Sequence, residues 1–129
     1  MLILDTNILI EIEKRNEKIV GELMELKKSH PQNVSITSAV YAEFLFGFLK
    51  IKKEKEAEKY LQNCEIINFD KESAVIFANT KKTLEEKGAS IPVLDILTAS
   101  CVISKGATFV TLDNHFDRIP NLKTIILKT

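Results

Sequence analysis

The sequence lacks the marks of a membrane, secretory or disulfide-built protein. It has no run of 18 apolar residues, which excludes a transmembrane helix. Its opening, MLILDTN, has neither a basic stretch nor a cleavage motif, so it is expected to be a strand of the fold rather than a signal peptide. Cysteine is scarce. Cys64 and Cys101 lie far apart and form no CxxC, which points to free thiols in a reducing cytoplasm. The four glycines and three prolines gather into no linker, and there is no repeat or low-complexity tract, so residues 1–129 read as one domain. Net charge is also missing. With 18 basic and 18 acidic residues, overall charge decides nothing about nucleic acid.

What remains is the composition of an ordinary soluble domain, 45% hydrophobic and 28% charged. Short β-branched or apolar runs predict strands at Leu2–Leu4, Val34–Ile36, Glu65–Phe69, Thr108–Thr111 and Thr124–Leu127. Longer helical patterns predict helices over Asn16–Lys28, Ser38–Lys50, Lys52–Asn63, Lys71–Lys87 and Pro92–Lys105. Ser38 is expected to cap its helix, Pro92 to take a first helical position, and Gly88 and Gly106 to follow helix ends. No two strands are joined by a hairpin turn. The class is therefore α/β, a parallel sheet of about five strands covered by helices. Consecutive apolar residues in the first strand place it at the centre, buried on both faces.

Four acids interrupt apolar runs: Asp5 in LILDTNILI, Glu43 in SAVYAEFLFGFL, Asp95 in IPVLDILTAS and Asp113 in TFVTLDNHF. Carboxylates are rarely buried unless paired or bound to a metal. No Lys or Arg adjoins any of the four. Brought together, they would repel by about 4 kcal/mol per pair at ~4 Å and an effective dielectric near ~20. A divalent cation held by carboxylates relieves that repulsion. Committing these acids to one site also leaves the remaining surface net basic by about four charges.

The topology supports their convergence. Ligands of open parallel sheets collect outside the carboxyl ends of the strands. Asp5 ends the first strand and Asp113 follows the fourth, while Asp95 and Glu43 fall in early turns of their helices. Each has a bland alternative: a helix cap for Asp5, a dipole partner for Asp95, an Asx turn for Asp113. Glu43 is hardest to dismiss, because Ala39, Phe46 and Gly47 are its helical neighbours.

The sequence resembles the PIN-domain ribonucleases, and in size the VapC toxins of prokaryotic toxin–antitoxin pairs. The resemblance spans essentially the whole chain. It rests on the apolar run ending in Asp5, Thr6 and Asn7, on the ExxxG helix with Glu43 and Gly47, on DILTAS with Asp95, and on TLDNHFDRI. It implies an acidic pocket binding Mg2+ or Mn2+, cleavage of RNA in the cytoplasm, self-pairing into a homodimer and an antitoxin partner. Asp5, Glu43, Asp95 and Asp113 take the positions of the family's acids. Asp117 is the alternative fourth acid, since some members carry theirs after the Phe. Phosphodiester hydrolysis needs an activated water, charge neutralisation and help for the leaving oxygen, which hard cations on carboxylates supply. Asp5 and Asp95 are assigned as direct ligands, Glu43 as a direct or water-mediated one, and Asp113 as support for a second ion or the water. Thr6, Asn7 and Thr111 are expected to orient the carboxylates.

Other features point less clearly. His115 lies close to Asp113 and could reach the site, although such a histidine is more often a loop residue, and His30 has no functional case. Lys50, Lys52, Lys53, Lys55 and Lys59 could follow a phosphate backbone. The interleaved Glu54, Glu56 and Glu58 suit an ordinary salted helix face equally well. The stretch from Ala39 to Ile51 is apolar around nearly its whole circumference, so it is either central to the core or covered by another chain. The partner surface is favoured, with at least one of Phe44, Phe46 and Phe48 facing outward. Two rival functions stand: a haloacid-dehalogenase-type phosphatase, and a catalytically silent PIN-like RNA-binding or scaffold module. The phosphatase chemistry wants a second Asp two positions after the first, where this chain has Asn7.

Overall fold

The computed structural model describes residues 1–32 and 34–129. The chain runs β1 (Leu2–Leu4), α1 (Thr6–Glu13), α2 (Glu17–Ser29), β2 (Ser35–Thr37), α3 (Ser38–Lys50), α4 (Glu54–Leu61), β3 (Glu65–Ile67), α5 (Lys71–Glu86), α6 (Val93–Ser104) and β4 (Thr108–Thr111). A 3-10 turn, Asn114–Arg118, then leads to β5 (Lys123–Ile126). The five strands form one sheet in the order β3-β2-β1-β4-β5, and every neighbouring pair is parallel. β1 is central, as its unbroken apolar run requires.

Alternation along the strands divides the core in two. Leu2, Leu4, Ile36 and Val110 face one layer with Ile8, Leu9, Ile19, Val40, Phe44 and Leu61, supplied by the first four helices. Ile3, Ile67 and Phe109 face the other, with Leu84, Ile96, Ala99, Val102 and Phe116 from α5, α6 and the 3-10 turn. Gly88 and Gly106 sit just past helix ends at φ of 68° and 59°, the left-handed region that glycine enters without strain.

Three local expectations are corrected. Residues 6–13 form a helix that the periodicity does not predict, because Ile8, Ile10 and Ile12 alternate like a strand. Asp5 caps this helix, Ile8 and Leu9 are buried, and Ile10 is left outside. Ser38 is not the cap of α3. Thr37 is, accepting from the Val40 N–H at 3.2 Å, while Ser38 donates to the Ile67 carbonyl and to Asn68. Pro92 takes the N-cap position of α6 rather than its first turn.

The chain winds outward from β1 to β2 and β3, then returns through α5 and α6 to lay β4 on the other side of β1. The direction of winding therefore reverses between β1 and β4. That crevice, at the strands' carboxyl ends, is where an open α/β sheet binds ligands.

Candidate functional site

Asp5 leaves β1 directly into this crevice, its N–H still bonded to the Val110 carbonyl of β4 at 2.9 Å. It is only 8% exposed. Its Oδ1 accepts from the Thr6 N–H at 2.7 Å and its Oδ2 from the Thr111 hydroxyl at 2.6 Å. Burial pushes its pKa up to about 6 against those two hydrogen bonds, and the charges of Asp95 and Glu43 push the same way. The Asp5 carboxylate thus already senses two of the other acids.

The four acids line one cleft of about 240 Å³, together with Thr6, Asn7, Ile10, His115 and Phe116. They come from four separate segments: the end of β1, α3, the first turn of α6, and the residues after β4. No lysine or arginine is among the lining residues. Asp117 is elsewhere, accepting from the Thr124 hydroxyl at 2.9 Å, so Asp113 is the acid of its loop that reaches the cleft.

Thr6 and Thr111 bond the acids directly, whereas Asn7 reaches only Thr111 and the last loop. The Thr6 hydroxyl donates to Glu43 Oε1 at 3.0 Å, while its backbone holds Asp5. Thr111 accepts from the Asp113 N–H at 3.1 Å and donates to Asp5, linking the two strand ends. Asn7 accepts from the Leu112 N–H at 3.2 Å and lies with its amide 3.4 Å from Thr111. Its side chain is committed to the backbone of the last loop, which leaves no role in proton transfer.

His115 is the site residue that sequence reasoning set aside as a loop histidine. Its Nε2 lies 2.7 Å from Asp95 Oδ2 and its Nδ1 2.6 Å from Asp113 Oδ1. Burial alone would lower its pKa, but the hydrogen bonds to Asp113 and Asp95 and their charges raise it on balance. The one signal available earlier was its place two residues after Asp113. Its second partner, Asp95, is 20 residues away and only the fold supplies it.

The donor set suits a hard divalent cation. Asp95 Oδ1, Asp113 Oδ2 and Glu43 Oε2 have no partner among the described residues, since each acid is held through its other oxygen. Carboxylate oxygens without a neighbouring ammonium or guanidinium are the ligands such ions take. As they stand, no three His, Cys, Asp or Glu side chains among the described residues converge tightly enough to enclose an ion. Glu43 leans to Thr6, and Asp95 and Asp113 lean to His115. The fit to such an ion lies in the donor chemistry and in the cleft that the four acids share.

The family model for the PIN domain matches residues 2–122. The Rickettsia felis protein Ribonuclease VapC2 is 35% identical over 125 residues, 92% of each chain. This chain belongs to the VapC-type PIN domains. A chain in the crystal structure of VapBC2 from Rickettsia felis bound to a DNA fragment from their promoter superposes with a TM-score of 0.86. It is 31% identical, with 98% of both chains covered. DNA-bound VapBC from Salmonella typhimurium shares the VapC fold at a TM-score of 0.83, with 24% identity over 97% of this chain and 96% of that one.

The remaining expectations resolve simply. The lysines at 50, 52, 53, 55 and 59 are exposed and line no part of the cleft. His30 is tied to the Leu26 carbonyl at 3.0 Å. Cys64 and Cys101 are free thiols. No helix among the described residues is long and apolar enough to cross a membrane.

Proposed function

We propose that this chain is a divalent-metal-dependent endoribonuclease, using Mg2+ or Mn2+, and the toxin component of a toxin–antitoxin pair. The observation that carries this reading is the meeting of Asp5, Glu43, Asp95 and Asp113 in one cleft without a lysine or arginine. When bound, the ion would activate water, neutralise charge on the phosphate and assist the leaving oxygen. Asp5 and Asp95 would hold it directly, and Glu43 directly or through a water. Asp113 would support a second ion or orient the water. Thr6 and Thr111 would keep the Asp5 and Glu43 carboxylates from turning away through their hydrogen bonds, with Asn7 supporting Thr111. The phosphatase alternative loses its support, because Asn7 stands where an acid is needed and its side chain is engaged.

The partner reading rests on α3. Phe44 and Phe48 are buried, while Phe46, Leu49 and Ile51 are 60%, 49% and 59% exposed. An apolar hollow of about 190 Å³ on this side is lined by Ile10, Glu43, Phe44, Gly47, Phe48 and Ile51. It shares Ile10 and Glu43 with the acidic cleft, so a protein seated there would reach the edge of the cleft at Glu43. An antitoxin or a second copy of the chain suits that surface.

The deciding experiment is cleavage of structured RNA by the purified chain, freed of partner, with Mg2+ or Mn2+ and then with chelator. Cleavage that stops on chelation is expected. Activity surviving thorough chelation would sink the metal mechanism. RNA binding without any cleavage would favour the silent-module reading.

A further inference from the structure

We propose that His115 is a positioning residue for the ion site, tying Asp95 and Asp113 together so that each offers its remaining carboxylate oxygen to the ion. The inference rests on the metal-dependent reading of the same cleft and concerns how that cleft is assembled.

Asp95 belongs to α6 and Asp113 to the segment after β4. Neither side chain has another side-chain partner among the described residues. Asp5 and Glu43, by contrast, are braced by Thr6 and Thr111. Among the described residues, the His115 ring is the one side chain that bridges these two acids, through Asp95 Oδ2 at 2.7 Å and Asp113 Oδ1 at 2.6 Å. It takes one oxygen from each and leaves the other.

The ring is itself fixed. It stacks on Phe116 at 4.4 Å between centroids with planes 27° apart, and Phe116 is buried against Phe109 of β4. The Asp113 carboxylate also accepts from the His115 N–H at 3.3 Å, which pins the start of the 3-10 turn. Core packing therefore sets the plane of the ring, and the ring sets the two carboxylates. With both nitrogens engaged, none is left to meet a water or a leaving oxygen. That separates positioning from proton transfer.

Mn2+ binding to the full chain, followed by calorimetry, tests this with His115→Ala and His115→Gln. Loss of a group that orients ligands weakens metal binding roughly 10–100-fold, and the Ala variant is expected in that range. The Gln variant, which can keep one of the two bonds, should lie between it and wild type. At saturating Mn2+ the kcat for RNA cleavage should return close to wild type in both. Unchanged or tighter Mn2+ binding overturns the proposal, and so does a lasting loss of kcat at saturating metal. If His115→Ala fails to fold by circular dichroism, His115→Gln decides by the same two readouts. A wild type that binds no Mn2+ overturns the metal reading itself, whereas wild-type binding matched by both variants overturns this inference alone.

Discussion

Asp5 shows what the cleft costs while no ion is bound. Its folded pKa of about 6 stands above the ordinary Asp value of 3.8, so the folded chain holds a proton that the unfolded chain has released between those values. This contribution to stability is full below about pH 4, falls as pH rises, and is gone above about pH 6. Each unit is about 1.4 kcal/mol, so the ionised carboxylate costs the metal-free fold on the order of 2–3 kcal/mol. In chelator, Asp5→Asn should melt several degrees above wild type at pH 7.5, with the gap closing towards pH 4, offset in part by a weaker bond to Thr111. A gap that ignores pH in thermal melts would show that burial of this carboxylate is not the cause. The same variant, and Asp95→Asn, should lose RNA cleavage by orders of magnitude with metal present. In the last loop, Asp113→Asn should impair cleavage clearly and Asp117→Asn much less, because Asp117 is turned to Thr124. Rate assays on the pair check this, and equal losses would mean that both acids act on the site.

Among the elements, α3 carries opposite duties on its two sides. Phe46→Glu should leave the circular dichroism melt nearly unchanged, since the ring is mostly exposed, yet break the dimer or antitoxin binding measured by light scattering. Phe44→Glu should unfold the chain, because that ring is buried against Phe48 and Tyr60. An unfolded Phe46→Glu would instead place the outer face in the core. How much of this was legible varies by element. β1, α3 and β4 are read to the residue, since apolar runs and flanking polar residues mark both ends. α1 is not, because its isoleucines carry a strand-like alternation and only the tertiary core selects Ile8 and Leu9. The acids are visible for being out of place in apolar runs. His115 is not visible, because a histidine in a polar turn is ordinary until Asp95 arrives from another helix.

At the scale of the molecule, an ion seated among four segments should act as a cross-link. Binding to the folded form alone stabilises by about 2.7 kcal/mol at a hundredfold excess over Kd. Mn2+ should therefore raise the melting temperature of wild type and not of Asp5→Asn. No such shift in a calorimetric scan would mean that the acids do not share an ion. The order in which the chain supplies its acids has a consequence for synthesis. Asp5 emerges first, but β4, its flanking strand, and Asp113 come only near the end of the 129 residues. A ribosome must pass Asp113 before β1 has gained its second neighbour and the cleft its fourth wall. On the proposed reading, a nascent or truncated chain lacks part of the acidic cleft, so RNA cleavage is expected to switch on in one late step rather than grow with length.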